Sequence, residues 1–176
     1  MSFVSLVTVD RADASLKATY EQIRERFGFL PNYFQAIGRM PKPIDGHFAL
    51  GTDLMKDGAL PNSVKEQIGL VVSGINSSSY CVALHMEILR SLGIEKPLGR
   101  KLATDHQNAA VDETVKALFR FADKLTRRPD EITQTDAEAV RAAGWDESAL
   151  FETVLTVALF NLYNRVSIGL GLMADF

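Results

Sequence analysis

Residues 62–89 read NSVKEQIGLVVSGINSSSYCVALHMEIL, and their spacing decides the fold class. Val64, Ile68, Val71 and Ile75 recur four, three and four residues apart, the period of one buried helix face. The helix begins at Asn62 or Ser63, and Gly69, close to the apolar stripe, permits close packing of a neighbour. Gly74-Ile75-Asn76 breaks it. Ser77, Ser78 and Ser79 then offer N-caps for a second helix that carries Cys81 and His85.

The same period extends outward. Leu16, Tyr20, Ile23 and Phe27 form a stripe with Gly28 placed to end its helix. A turn at Leu30-Pro31-Asn32 leads to a short apolar segment, 33–37, and Pro41 and Pro43 precede a helix expected over 44–56, closed by Asp57-Gly58. Residues 97–112 give a short helix and a loop. Val115, Leu118, Ala122 and Leu125 mark a further helix, with Asp112 as its expected cap and Arg127-Arg128-Pro129 as its end. Thr135 and Glu138 have capping-box spacing for a short helix reaching Gly144, and Asp146 is placed to cap a long last one bearing Leu150, Val154, Val157 and Asn161. Strand-like alternation is confined to 3–8, and no repeat or low-complexity linker interrupts the chain. The expectation is one all-α domain over residues 1–176.

Composition narrows the function classes. The chain has 176 residues, 47% hydrophobic and 23% charged, with a net charge of −3. That is a soluble globular balance, without the basic cluster that nucleic-acid binding requires. A single cysteine excludes an intramolecular disulfide scaffold and suits a reducing compartment. No secretion signal opens the sequence, so the expected location is the cytoplasm. The most apolar stretch, 149–174, is interrupted by Glu152, Asn161, Asn164 and Arg165. It reads as a buried or interface helix, apolar on more than one face, rather than a bilayer span. Self-association through it is expected.

Cys81 is the first candidate for chemistry. A thiol reacts as thiolate, and the first turn of a helix favours that form; the competing role is core filler. His85, four residues on, shares the helix face and is placed to take the thiol proton and return it to a leaving group. Glu66 is the third candidate, yet Ser63-x-x-Glu66 has capping-box spacing, which gives it a purely structural alternative. Tyr80 either bonds across the site or wedges the helix start. His47 and His106 read as structural or exposed. Zinc held by Cys81, His85 and Glu66 has no second cysteine or paired histidine motif behind it. His85-Met-Glu87 resembles half of a deaminase signature whose Pro-Cys-x-x-Cys half is absent, and there is no phosphate loop or GxSxG elbow.

With these residues in place, the sequence resembles the alkylhydroperoxidase D/carboxymuconolactone decarboxylase superfamily, in particular its peroxidase-related branch. The motif there is a glutamate on one helix and Cys-x-x-Cys-x-x-x-His opening the next. Glu66, Cys81 and His85 match the glutamate, the second cysteine and the histidine, and Asn76 and Tyr80 match the branch's Asn-x-Cys-x-Tyr-Cys wording. Gly28-Phe-Leu-Pro-Asn32, Leu125-Thr126, Thr133-x-x-Asp136, Gly144 and Phe160-Asn161…Asn164-Arg165 extend the similarity beyond the motif core at about 60–95. The resemblance implies an alkylhydroperoxidase D-like helical bundle assembling as trimers or hexamers. It implies peroxidase chemistry without haem, metal or other cofactor, with Cys81 as the peroxidatic thiol and Glu66 and His85 as a proton relay. That role displaces the cap reading of Glu66. The departure falls at Ser78, which stands where the family has its resolving cysteine and forms no disulfide. Three outcomes follow: a one-cysteine hydroperoxide reductase served by an external thiol, a cofactor-free lyase using His85 and Glu66, or a non-catalytic helical assembly protein.

Overall fold

The hairpin at the centre of the sequence is the centre of the molecule. In the computed structural model, which describes residues 2–175, the helices are α1 (Ala14–Phe27), α2 (Asn32–Ile37), α3 (Pro41–Leu54), α4 (Asn62–Ile75), α5 (Ser79–Ser91), α6 (Lys96–Asp105), α7 (Glu113–Arg127), α8 (Gln134–Ala142) and α9 (Glu147–Gly169). Short 3-10 turns lie at Val9–Arg11, His106–Asn108 and Pro129–Glu131, and among the described residues there is no strand. Residues 3–8, where alternation suggested one, run irregularly. Their backbone is tied by Phe3 N–H to Leu170 O at 2.8 Å and Val7 N–H to Gln35 O at 2.9 Å.

Helix α4 packs against α5, α6, α7 and α9, and every residue from Val64 to Ser73 is buried. A single apolar stripe does not account for that. The polar residues Lys65, Glu66, Gln67 and Ser73 are also inside, each with a hydrogen-bond partner, which is what makes their burial tolerable. Around α4 lies one core built on Ile68, Val71, Leu102, Leu118 and Phe160. A second core, where α1, α2 and α3 meet α5, holds Tyr20, Ile23, Tyr33, Phe34, Ile44 and Leu172 and takes in Tyr80 and Cys81.

Gly69 sets the α4–α9 distance. A Cβ there would collide with the ring of Phe160, which is itself fully buried. Gly69→Ala is therefore expected to cost about 1–3 kcal/mol by overpacking. Thermal denaturation should show this as a drop of at least roughly 2 °C; an unchanged melting curve would contradict the assigned packing.

The caps differ from expectation in informative ways. The N-cap of α4 is Pro61 and makes no side-chain cap bond, so Glu66 does not close a capping box with Ser63. The box at the start of α8 is formed by Thr133 and Asp136, two residues before the Thr135–Glu138 pair: Asp136 Oδ2 accepts from Thr133 N–H and from its hydroxyl, both at 2.8 Å. Asp112 occupies the N-cap position of α7 without a side-chain bond, whereas Asp146 accepts from Ala149 N–H at 2.8 Å as expected. Pro41 stands inside the first turn of α3, where a missing N–H costs no hydrogen bond, so that helix begins earlier than 44. In the 97–112 region the short helix is α6, followed by the 3-10 turn at 106–108.

Helix α9 buries Thr153, Val157, Phe160, Asn164 and Ser167 and leaves Phe151, Leu155 and Leu162 exposed. It is apolar on both sides. Among the described residues no helix is long and apolar enough to cross a membrane.

Candidate active site

The α4–α5 turn brings the motif residues together. Ser77 takes a left-handed conformation (φ 56°), and Ser78 N–H closes the turn on Ser73 O at 2.9 Å. Ser78 is the N-cap of α5, which makes Cys81 the third residue of that helix and puts His85 one turn further. Glu66, on α4, faces the same space. The His85 Nδ1–H donates to Glu66 Oε2 at 2.7 Å, and both side chains are buried. Phe160 holds the imidazole from the side, edge to face with ring centroids 4.6 Å apart.

Cys81 is 2% exposed. Among the described residues its hydrogen-bond contact is Ser167 Oγ, at 3.5 Å, rather than His85. Ser78 does not reach the sulfur directly; its hydroxyl lies 3.0 Å from Ser167 Oγ, which contacts both the serine and the thiol. Ser167 Oγ also donates to Asn164 O at 3.1 Å. The Asn164 amide donates to Ser73 Oγ at 3.0 Å and accepts from Asn76 Nδ2 at 2.8 Å. Asn76 and Asn164, conspicuous in the sequence, thus lock the turn to α9.

Tyr80 points away from the proton relay. Its hydroxyl donates to Asp175 Oδ2 at 2.7 Å and accepts from Tyr33 N–H at 3.1 Å, tying α5 to α2 and to the residues after α9. Burial, reinforced by the Asp175 carboxylate, pushes the phenol well above its ordinary range. His47 is half-buried and sits 3.0 Å from the Tyr33 hydroxyl. Burial holds its imidazole below the usual value. His106 is buried outside the Glu66–His85 pair, lining a separate polar pocket with Gly74, Ile75 and Ser77 of the α4–α5 turn, its Nε2 3.7 Å from Asp123. Among the described residues no three His, Cys, Asp or Glu side chains converge as a metal site.

Beside the Glu66–His85 pair is an apolar cavity of about 320 Å³, walled by Phe27, Phe34, Phe48, Leu84 and Ile88, with Glu66 and Tyr163 among its polar groups. Among the described residues lining it, Cys81 and His85 do not appear. Leu84 and Tyr163, which do, pack against the cluster that holds Cys81.

The carboxymuconolactone decarboxylase family matches residues 45–97, a span that contains Glu66, Ser78, Cys81 and His85. An uncharacterized peroxidase-related protein from Silicibacter shares the fold with a TM-score of 0.91 and 27% identity, covering 99% of this chain and 92% of that one. Residues 45–97 thus carry the likeness to the carboxymuconolactone decarboxylase family, and the fold as a whole is that of peroxidase-related proteins of known structure. A second solved structure, an alkylhydroperoxidase core from Ralstonia eutropha that is also an uncharacterized peroxidase-related protein, has a TM-score of 0.92 and 25% identity over 99% of this chain and 92% of its own. The debrominase Bmp8, in complex with 2,3,4-tribromopyrrole, shares the fold at 19% identity and a TM-score of 0.83, covering 99% of this chain and 94% of that one. No curated relative matches the chain.

Sequence reasoning missed the contributions of α9. Ser167 and Tyr163 lie more than 80 residues from Cys81, and no local spacing signals them. The only available cue was polar residues in an otherwise apolar helix.

Proposed function

We propose that the protein is a thiol-dependent hydroperoxide reductase of the one-cysteine type. The observation that carries this reading is the buried Glu66–His85 hydrogen bond, with Glu66 lining an apolar cavity and His85 four residues from the chain's single thiol on the same helix. Cys81 gives its proton to the His85–Glu66 pair, and the thiolate attacks the terminal oxygen of a hydroperoxide. The S–O bond forms, the O–O bond breaks, and the products are Cys81 sulfenic acid and an alcohol. Ser78 has no sulfur with which to close a disulfide. An external thiol therefore condenses with the sulfenic acid, releasing water, and a second one restores Cys81 as a disulfide leaves. A cytoplasmic location supplies such thiols. The exposed Phe151, Leu155 and Leu162 of α9 suit burial against further copies of the chain, as a homo-oligomer such as a trimer or hexamer.

The experiment is mass spectrometry of Cys81 after one equivalent of cumene hydroperoxide, with a sulfenic-acid trap. The expected result is a trapped adduct at Cys81. A thiol that stays reduced at pH 7, while free cysteine in the same solution oxidises, overturns the reading.

A second reading has one observation in its favour: Glu66 lines the cavity and Cys81 does not. Glu66 and His85 would then be acid and base of a cofactor-free lyase acting on a lactone acid. Decarboxylation that survives Cys81→Ala and is lost in His85→Ala would establish it.

A further inference from the structure

Three tyrosines lie close enough to Cys81 for a thiolate charge there to oppose their ionisation: Tyr33, Tyr80 and Tyr163. Two have their hydroxyls committed, Tyr33 to His47 and Tyr80 to Asp175 and the Tyr33 N–H. The Tyr163 hydroxyl has no hydrogen-bond partner among the described residues, and its side chain lines the cavity alongside Glu66. Unlike the buried unpartnered His106 Nε2 and Thr156 Oγ1, this hydroxyl belongs to a half-buried side chain on the cavity wall, so it is a donor open to whatever the cavity holds.

Its position is also specified. The hydroxyl rests on the backbone of α3 at Gly51, where any Cβ would collide with it. The ring is held edge-on by Tyr33, His47 and Phe160, with centroid distances of 5.3, 5.3 and 5.8 Å. Phe160 in turn packs on His85. The phenol therefore stands on the cavity wall, between the cavity and the cluster that contains the thiol.

We infer that Tyr163 is a further catalytic residue, the acid that protonates the leaving oxygen of the hydroperoxide. This rests on the peroxidase reading. As the thiolate attacks the terminal oxygen, the O–O bond breaks and its electron pair goes to the alkoxide, which takes the Tyr163 proton and leaves as the alcohol. The proton taken from Cys81 by the His85–Glu66 pair then returns to the tyrosinate. The sum is thiol plus hydroperoxide giving sulfenic acid plus alcohol, with Tyr163 unchanged. Burial first, then the charges of Glu66 and Cys81, push the phenol above its ordinary range. It thus enters the reaction protonated, and an alkoxide is basic enough to take the proton.

The test compares two oxidants on wild type and Tyr163→Phe. An alkyl hydroperoxide needs a proton on its leaving alkoxide; peracetic acid expels acetate, which does not. Tyr163→Phe is expected to slow Cys81 oxidation by cumene hydroperoxide about 100-fold and oxidation by peracetic acid less than about threefold. Gly51→Ala, which displaces the hydroxyl without removing it, should show the same selectivity. Undiminished cumene hydroperoxide rates in either variant overturn the assignment. So does equal slowing with both oxidants, the mark of a structural role. A wild type that cumene hydroperoxide leaves reduced overturns the peroxidase reading itself, and Tyr163's role with it.

Discussion

Lys65→Met is expected to destabilise the protein by about 3 kcal/mol, a fall in Tm of roughly 6–12 °C for a chain of this size. Lys65 is 2% exposed, and its ammonium has three oxygens around it: Leu54 O at 2.9 Å, Lys56 O at 2.7 Å and Glu152 Oε2 at 2.9 Å. Glu152, reaching in from α9, also accepts Ala59 N–H at 3.0 Å and Leu60 N–H at 2.9 Å. One ion pair thus fastens the α3–α4 connection to two helices. Methionine keeps the stem's packing but leaves two carbonyls and a carboxylate facing the place where the ammonium was. The stranded charge is the larger penalty, and partial exposure of Glu152 (21%) keeps it near the low end of the range for broken buried pairs. Lys65→Met/Glu152→Gln should recover part of the loss, since the amide is uncharged and its oxygen still accepts from the loop.

Acid titration gives an independent reading of the same clasp. Burial raises the Glu152 carboxyl, but the Leu60 N–H, the Lys65 ammonium and the Ala59 N–H outweigh it and hold the group below its ordinary value. A carboxyl depressed in the folded state binds protons more weakly there than in the unfolded chain. Its contribution is fully present above the ordinary carboxylate range and is lost as pH falls through the folded value. Lys65→Met should therefore flatten the acid side of the stability profile, as measured by chemical denaturation between pH 3 and 6. A variant as acid-sensitive as the wild type would show that Lys65 does not set the Glu152 ionisation.

What could be read in the sequence was what short spacings encode. Cys81 and His85 share a face because four residues make about one helical turn, and Gly69 marked a close approach that Phe160 makes. Glu66 was ambiguous for a physical reason. A glutamate three residues after a serine near a helix start satisfies the capping-box pattern whether or not its side chain turns back, and here it turns outward to His85. The α8 cap went astray similarly: Thr133-x-x-Asp136 and Thr135-x-x-Glu138 overlap, and Lys124, whose Nζ lies 2.7 Å from Asp136 Oδ2, favours the first. No local pattern exists for the residues α9 delivers. Ser167 and Tyr163 join the site through packing, and the period of α9 shows which residues share a face without showing what that face meets. Ser78 and the thiol are likewise joined through Ser167, which contacts both.

Glu66→Gln is expected to leave the fold intact and to slow Cys81 oxidation about 100- to 10,000-fold. In the wild type Glu66 Oε2 accepts from His85 Nδ1 at 2.7 Å. A carboxylate only accepts, so the imidazole proton is fixed on Nδ1 and Nε2 remains as the basic nitrogen. Glutamine fits the same space but offers both an oxygen and an N–H. Where the N–H turns to Nδ1, the proton moves to Nε2 and the base is lost. In either orientation no negative charge remains to stabilise the imidazolium that forms when the thiol is deprotonated. The same defect should slow alkylation of Cys81 by iodoacetamide at pH 7, a reaction that needs the thiolate and no peroxide. Loss of the hydrogen bond itself costs little stability, about 1 kcal/mol or less, since the amide retains a bond to the ring. Parallel losses in alkylation and oxidation identify Glu66 as part of the relay serving the thiol. Unchanged alkylation with lost turnover on a lactone acid assigns the pair to acid–base chemistry in the cavity, independent of Cys81. If all three rates are unchanged, the pair is structural and the relay assignment fails.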